Sequence, residues 1–134
     1  MDARSERYSS AVSALGLFAI GLLFATVLVA NNQDSAYIGL WMIGGALVVS
    51  GVPYVLAAAV PAGGVRRRVL IGAVAFSALV GVLGLVILIL SLVVIPSQDY
   101  ADGSPVLRNH VIGLAVLALT YSALYRVHMP ALRR

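Results

Sequence analysis

Residues 69–96 read VLIGAVAFSALVGVLGLVILILSLVVIP, inside a stretch with no charged residue between Arg68 and Asp99. An ionised side chain in hydrocarbon costs several kcal/mol unless it finds a partner, so a charge-free run of this length marks chain that can leave water. A helix needs about 20 predominantly apolar residues to cross about 30 Å of hydrocarbon. A transmembrane strand would instead alternate apolar and polar residues over about ten positions. Val80 to Ile95 has only Gly81, Gly84 and Ser91 among large apolar residues, which fits a helix and not a barrel strand. Pro96 ends the run, because proline removes a helical hydrogen bond and clashes with the preceding turn.

The same pattern recurs outward in both directions. No charge lies between Arg7 and Asp34, between Asp34 and Arg66, or between Arg108 and Arg126. The last gap is short, but arginines at its two ends can turn their guanidinium groups to water while their stems stay in the apolar layer. These gaps place four spans at about residues 11–30, 36–59, 69–95 and 108–127. Asn31, Asn32, Gln33 and Asp34 break the first run, and Pro61-Ala62-Gly63-Gly64 closes the second. Arg4 and Arg7 ahead of the first run, and the small residues before Ala30, imitate a secretory signal. It is expected to be a retained structural helix.

Composition agrees. The chain has 134 residues, 61% apolar and 10% charged, with a mean hydropathy of +1.01. A soluble domain carries about 45–50% apolar and about 25% charged residues. The expected fold is therefore an all-α integral membrane four-helix bundle, filling residues 1–134 as a single domain. The second and fourth spans open alike, Ile38-Gly39-Leu40 and Ile112-Gly113-Leu114, and each is followed by proline and arginines. That reads either as two tandem helical hairpins related by an axis along the membrane normal, or as the likeness any two apolar hairpins acquire under one charge rule.

Four spans put both termini on one side. Arg4, Arg7, Arg66, Arg67, Arg68, Arg126, Arg133 and Arg134 fall on that side, against Arg108 with Asp34, Asp99 and Asp102 on the other. Short basic loops stay in the cytoplasm, so both termini are expected inside and the location is the cell membrane. Arg66, Arg67, Arg68, Arg133 and Arg134 read as cytoplasmic anchors facing anionic headgroups, not as a nucleic-acid site. Tyr37, Trp41 and Tyr100 fall near the outer boundary and Tyr8, Tyr121 and Tyr125 near the inner one, where amphipathic rings are favoured. All nine basic residues are arginine, which suits a high-GC prokaryotic coding bias.

In lipid, apolar faces gain little by meeting, so small residues select helix contacts. Ala73, Ser77 and Gly81 recur every four residues, as do Ala46 with Ser50 and Ala118 with Ser122, and these three stripes are the expected seams. Pro53, followed by Tyr54, is expected to kink the second span or to serve as a hinge, with Ser50 or Tyr54 helping to satisfy the freed backbone.

Several chemistries find no residues. The chain has no cysteine, which excludes disulfides, thiolate metal sites and thiol nucleophiles. His110 and His128 lie eighteen positions apart, about 27 Å along one helix, and cannot share a metal or haem. Each is expected to be solvated or hydrogen-bonded. No carboxylate stands mid-span, as an ion-coupled transporter needs. Small multidrug transporters carry a glutamate in the first span, and fluoride channels of similar size carry intramembrane asparagines; the expected first span here has no glutamate, and the one asparagine in an expected span, Asn109, stands at the very start of the fourth. The expectation is a protein with no catalytic residues and no cofactor, working through helix–helix contacts. It would be an accessory subunit of a membrane complex or a homo-oligomer, with lipids, other membrane subunits or itself as partners. The alternative is an oligomeric channel or transporter for a small solute or ion, lined by hydroxyls.

Overall fold

The computed structural model describes residues 2–29, 38–94 and 105–133. Four helices account for nearly all of them: α1 (Ala3–Leu23), extended by a π-helical segment at Phe24–Val29, then α2 (Ile38–Ala59), α3 (Gly64–Val94) and α4 (Pro105–Leu132). All four are long and apolar enough to cross a membrane, so the chain has the build of a multi-pass membrane protein. Asn31 to Asp34, Tyr37, Pro96, Asp99, Tyr100, Asp102 and Arg134 lie outside the described residues.

α1, α3 and α4 run past their expected spans, because a helix need not stop where hydrocarbon does, whereas α2 stays within its own. At 1.5 Å per residue the 31 residues of α3 measure about 46 Å, half as long again as the apolar layer. Its extra turns carry Arg66, Arg67 and Arg68. α1 begins eight residues before the expected boundary because Asp2 caps it, its carboxylate accepting the Ser5 amide at 2.7 Å. Between α2 and α3 the chain turns in four residues. Gly63 sits there at φ 140°, a conformation side chains other than glycine rarely adopt.

Ala3, Ala62, Gly63, Ala131 and Leu132 line one small cavity, so the start of α1, the α2–α3 turn and the end of α4 share one end of the bundle. α2 packs against both α1 and α3, α4 leans mainly on α3, and the contact between α1 and α4 is slight. Leu17, Phe24, Leu40, Ile43, Leu47, Leu88 and Leu117 fill the centre and are almost wholly buried. α1 and α2 approach most closely where Gly21 meets Gly44 and Val48: a Cβ on Gly21 would stand 2.6 Å from a Val48 methyl and 2.8 Å from the Gly44 carbonyl oxygen. Lower down, Phe18 covers Gly51, 2.6 Å from where a Cβ would be.

Candidate functional site

Toward the end that holds the termini, side chains from all four helices converge on a polar node. Tyr54 of α2 is completely buried, and its ring lies 4.9 Å, centroid to centroid, from that of His128 on α4. His128 Nε2 shares a 2.9 Å hydrogen bond with Ser13 Oγ of α1. Ser77 Oγ of α3 donates to Tyr54 Oη at 3.2 Å. Beside them Tyr121 Oη of α4 shares a 3.2 Å bond with Ser50 Oγ of α2, which also donates to the Ala46 carbonyl at 2.8 Å. Apart from the Ser50–Ala46 bond within α2, each contact joins two different helices through an uncharged pair. Such pairs in lipid average about 0.6 kcal/mol and reach about 1.7 kcal/mol, enough to fix azimuth and register where apolar packing discriminates weakly.

The expected α3 stripe is all interior: Ala73, Ser77 and Gly81 are buried. It receives large rings and branches instead of small residues. A Cβ on Gly81 would lie 2.9 Å from Tyr121 Cγ, and one on Gly84 would lie 2.9 Å from a Leu117 methyl. Ser50 is buried and Ala46 half-buried. Ala118 and Ser122 are exposed. The α3–α4 contact is made one position earlier, by Leu117 and Tyr121, because a bulky residue fills the space over a glycine that two small residues would leave void.

Ala118 and Ser122 form one wall of a lateral groove of about 420 Å³ between α3 and α4. Its α3 wall is Val74, Ala78, Val82 and Leu85; Tyr54, Ser77, Gly81 and Tyr121 form the floor, and Tyr125 and Arg126 stand at the end nearest the termini. A narrower apolar cleft of about 170 Å³, walled by Met42, Ala46, Val80 and Leu83, separates α2 from α3.

The arginines of the 66–68 run divide. Arg67 and Arg68 are exposed, but Arg66 is only 4% exposed. Its Nε and Nη2 donate to the Val60 carbonyl at 3.0 and 2.6 Å, and its Nη1 donates to the Ala3 carbonyl at 2.8 Å. One guanidinium thus ties the last turn of α2 to the first turn of α1. Arg133 is exposed. Pro53 lies inside α2, which continues through it to Ala59, and the Ser50 and Tyr54 hydroxyls are engaged across helices as described. Both histidines are buried, and only His128 belongs to the node. Elsewhere Thr26, Ser91 and Thr120 donate to carbonyls one turn back.

Comparison with known proteins assigns no family: no family model, no curated protein and no solved structure matches the chain.

Proposed function

We propose that this is a non-catalytic membrane protein that works by docking other transmembrane helices, as an accessory subunit or as its own oligomer. The observation that carries this reading is the placement of glycine. Gly21, Gly51, Gly81, Gly84 and Gly113 each have a neighbouring atom within 3.0 Å of where a Cβ would be, so close packing accounts for them. Gly16, Gly45 and Gly72, all inside helices where glycine costs about 1 kcal/mol relative to alanine, have nothing within 4 Å. Open space alone therefore does not single out Gly45; its place in an exposed row on α2 does: Trp41, Gly45, Val49, Val52 and Leu56. That row has the i, i+4, i+7 recurrence of a helix-packing face, with a notch where a second backbone can approach.

The orientation belongs to the same proposal. Eight arginines lie at the end with the termini and one at the other, which favours both termini in the cytoplasm and insertion in the cell membrane. The tandem-hairpin reading gains support from the two matching glycines: Gly39 faces Ile87 and Ser91 of α3, and Gly113 faces Phe24 after α1 as well as Leu40. An axis along the membrane normal would pair the helices in this way.

Extraction from native membranes in mild detergent, followed by sizing and identification of copurifying chains, tests the function. The expected result is a dimer or a stable complex that Gly45→Leu reduces to monomer without loss of helicity. A wild-type chain that runs alone, or a Gly45→Leu chain that assembles unchanged, overturns it.

A further inference from the structure

We propose that the groove between α3 and α4 is a binding site for an anionic phospholipid, with an acyl chain lying along the groove and the phosphate held by Arg126. This site lies on a different face from the exposed row on α2 and stands independently of the docking proposal.

The groove's shape and polarity run in the order of a phospholipid. At about 420 Å³ it falls within the range of about 300–1,000 Å³ usual for ligand sites. Its far portion is walled by Val82, Leu85 and Ala118, its other end by Tyr125 and Arg126. Ala118 to Arg126 spans eight residues of α4, about 12 Å, room for much of one acyl chain. Ala118, Ser122 and the adjacent pair Tyr125 and Arg126 recur at helical spacing, so a small side chain, a hydroxyl, and then a phenol beside a guanidinium occupy successive turns of one broad side of α4. The floor is rigid: Tyr121 is wedged over Gly81 and bonded to Ser50, and Tyr54 is bonded to Ser77.

Charge selects the headgroup. Arg126 is exposed, and no acidic side chain pairs with it among the described residues. Arg66, by contrast, spends its donors on two backbone carbonyls and is not available to a ligand. A guanidinium matches phosphate oxygens with two parallel donors, and the neighbouring Tyr125 and Ser122 hydroxyls are placed for the glycerol and ester oxygens. Arg67, Arg68 and Arg133 also meet headgroups, but none of them lines this groove. Arg67 lines a separate cavity at the end of the bundle that it shares with Glu6, whereas Arg126 stands at the end of a groove with no acidic residue in its lining.

The test uses the full chain in nanodiscs of phosphatidylcholine with one fifth phosphatidylglycerol, transferred to detergent, washed in 0.5 M NaCl and assayed for retained lipid by mass spectrometry. Wild-type protein is expected to retain phosphatidylglycerol in preference to phosphatidylcholine. Arg126→Gln should lower phosphatidylglycerol retention about fivefold, the worth of one basic residue at an anionic surface, and lower phosphatidylcholine less, because its choline offsets the phosphate charge. Ser122→Phe, on the exposed wall, should lower both lipids by filling the groove. Arg133→Gln should alter neither, and added glycerol phosphate should not compete, since it lacks the tail. Both groove positions are exposed, so a melting temperature equal to wild type verifies the fold of each variant. Equal losses in Arg126→Gln and Arg133→Gln, unchanged retention in Arg126→Gln, competition by glycerol phosphate, or a wild-type groove that holds a copurified helix and no lipid would each overturn the proposal.

Discussion

Replacing Gly81 by alanine adds a single methyl group, and the structure gives that methyl no room. The new Cβ would stand 2.9, 3.1 and 3.2 Å from Cγ, Cδ1 and Cδ2 of Tyr121. These atoms form the root of the ring and not its mobile tip, so the ring cannot swing clear without moving α4. Its hydroxyl is also tethered to Ser50. Forcing a methyl into such a contact costs about 1–3 kcal/mol. Loss of the Ser50–Tyr121 bond adds about 0.6 kcal/mol. Against this, alanine gains about 1 kcal/mol in helix propensity over glycine. The net expectation is a loss of about 0.6–2.6 kcal/mol, measured by unfolding in mixed micelles of a mild detergent and dodecyl sulfate, with circular dichroism as the signal. Gly72→Ala supplies the contrast, since Gly72 has nothing within 4 Å and should keep the propensity gain. A double-mutant cycle isolates the clash. In a Tyr121→Ala background the methyl meets open space, so Gly81→Ala should become neutral or stabilising. A Gly81→Ala chain as stable as wild type, or a penalty that survives removal of the Tyr121 ring, would refute the wedge as the basis of the α3–α4 contact.

Two further perturbations probe the polar ties. Arg66→Ala should destabilise the bundle by about 1–3 kcal/mol in a detergent thermal melt, because it removes three charge-assisted donors from the Val60 and Ala3 carbonyls. Arg66→Lys should recover little, as an ammonium lacks the planar fork that reaches both carbonyls; full recovery by lysine would show that charge alone matters. His128→Phe should cost roughly 0.6–1.7 kcal/mol by deleting the Ser13 bond while keeping a ring against Tyr54, and Ser13→Ala should cost a similar amount. The two losses should not add in the double variant; additive losses would show that the pair does not interact.

Much of the architecture is legible in the positions of the charges, because the energetic penalty for an ion in hydrocarbon is large enough to divide the chain by itself. Helix ends are less so. Spans of apolar residues report the thickness of the membrane, whereas α3 and α4 continue into headgroups and water, where hydropathy falls silent. Asp2 could have been recognised, since an aspartate three residues ahead of Ser5 is an ordinary capping arrangement. Helical spacing puts Ala73, Ser77 and Gly81 on one face, but it cannot say what meets that face: Tyr54 bonds Ser77 and the Tyr121 ring covers Gly81. Ser13 and His128 are 115 residues apart and carry no local sign of each other. The three arginines look equivalent in sequence, yet successive residues of a helix point about 100° apart, and only Arg66 faces the bundle.

The distribution of polar contacts explains how a bundle with so little charge holds one arrangement. In lipid the central leucines exchange one apolar neighbour for another on association, so they supply shape and density with little directional preference. Near the termini, direction comes from the interhelical hydroxyl contacts, the His128 imidazole and Arg66. At the other end, where Asn109 and His110 are buried, steric fit contributes as well, and Gly113 lets α4 settle on Leu40 and Phe24. The slight seam between α1, with its π-helical extension, and α4 is therefore held at two levels by different means: the Ser13–His128 bond nearer the termini and the Phe24–Gly113 contact farther away. Because α4 otherwise rests on α3, the groove beside Tyr121 lies on the side of α4 away from that seam. Its width is set by the wedge over Gly81, while the α1–α4 contacts limit how far α4 can roll.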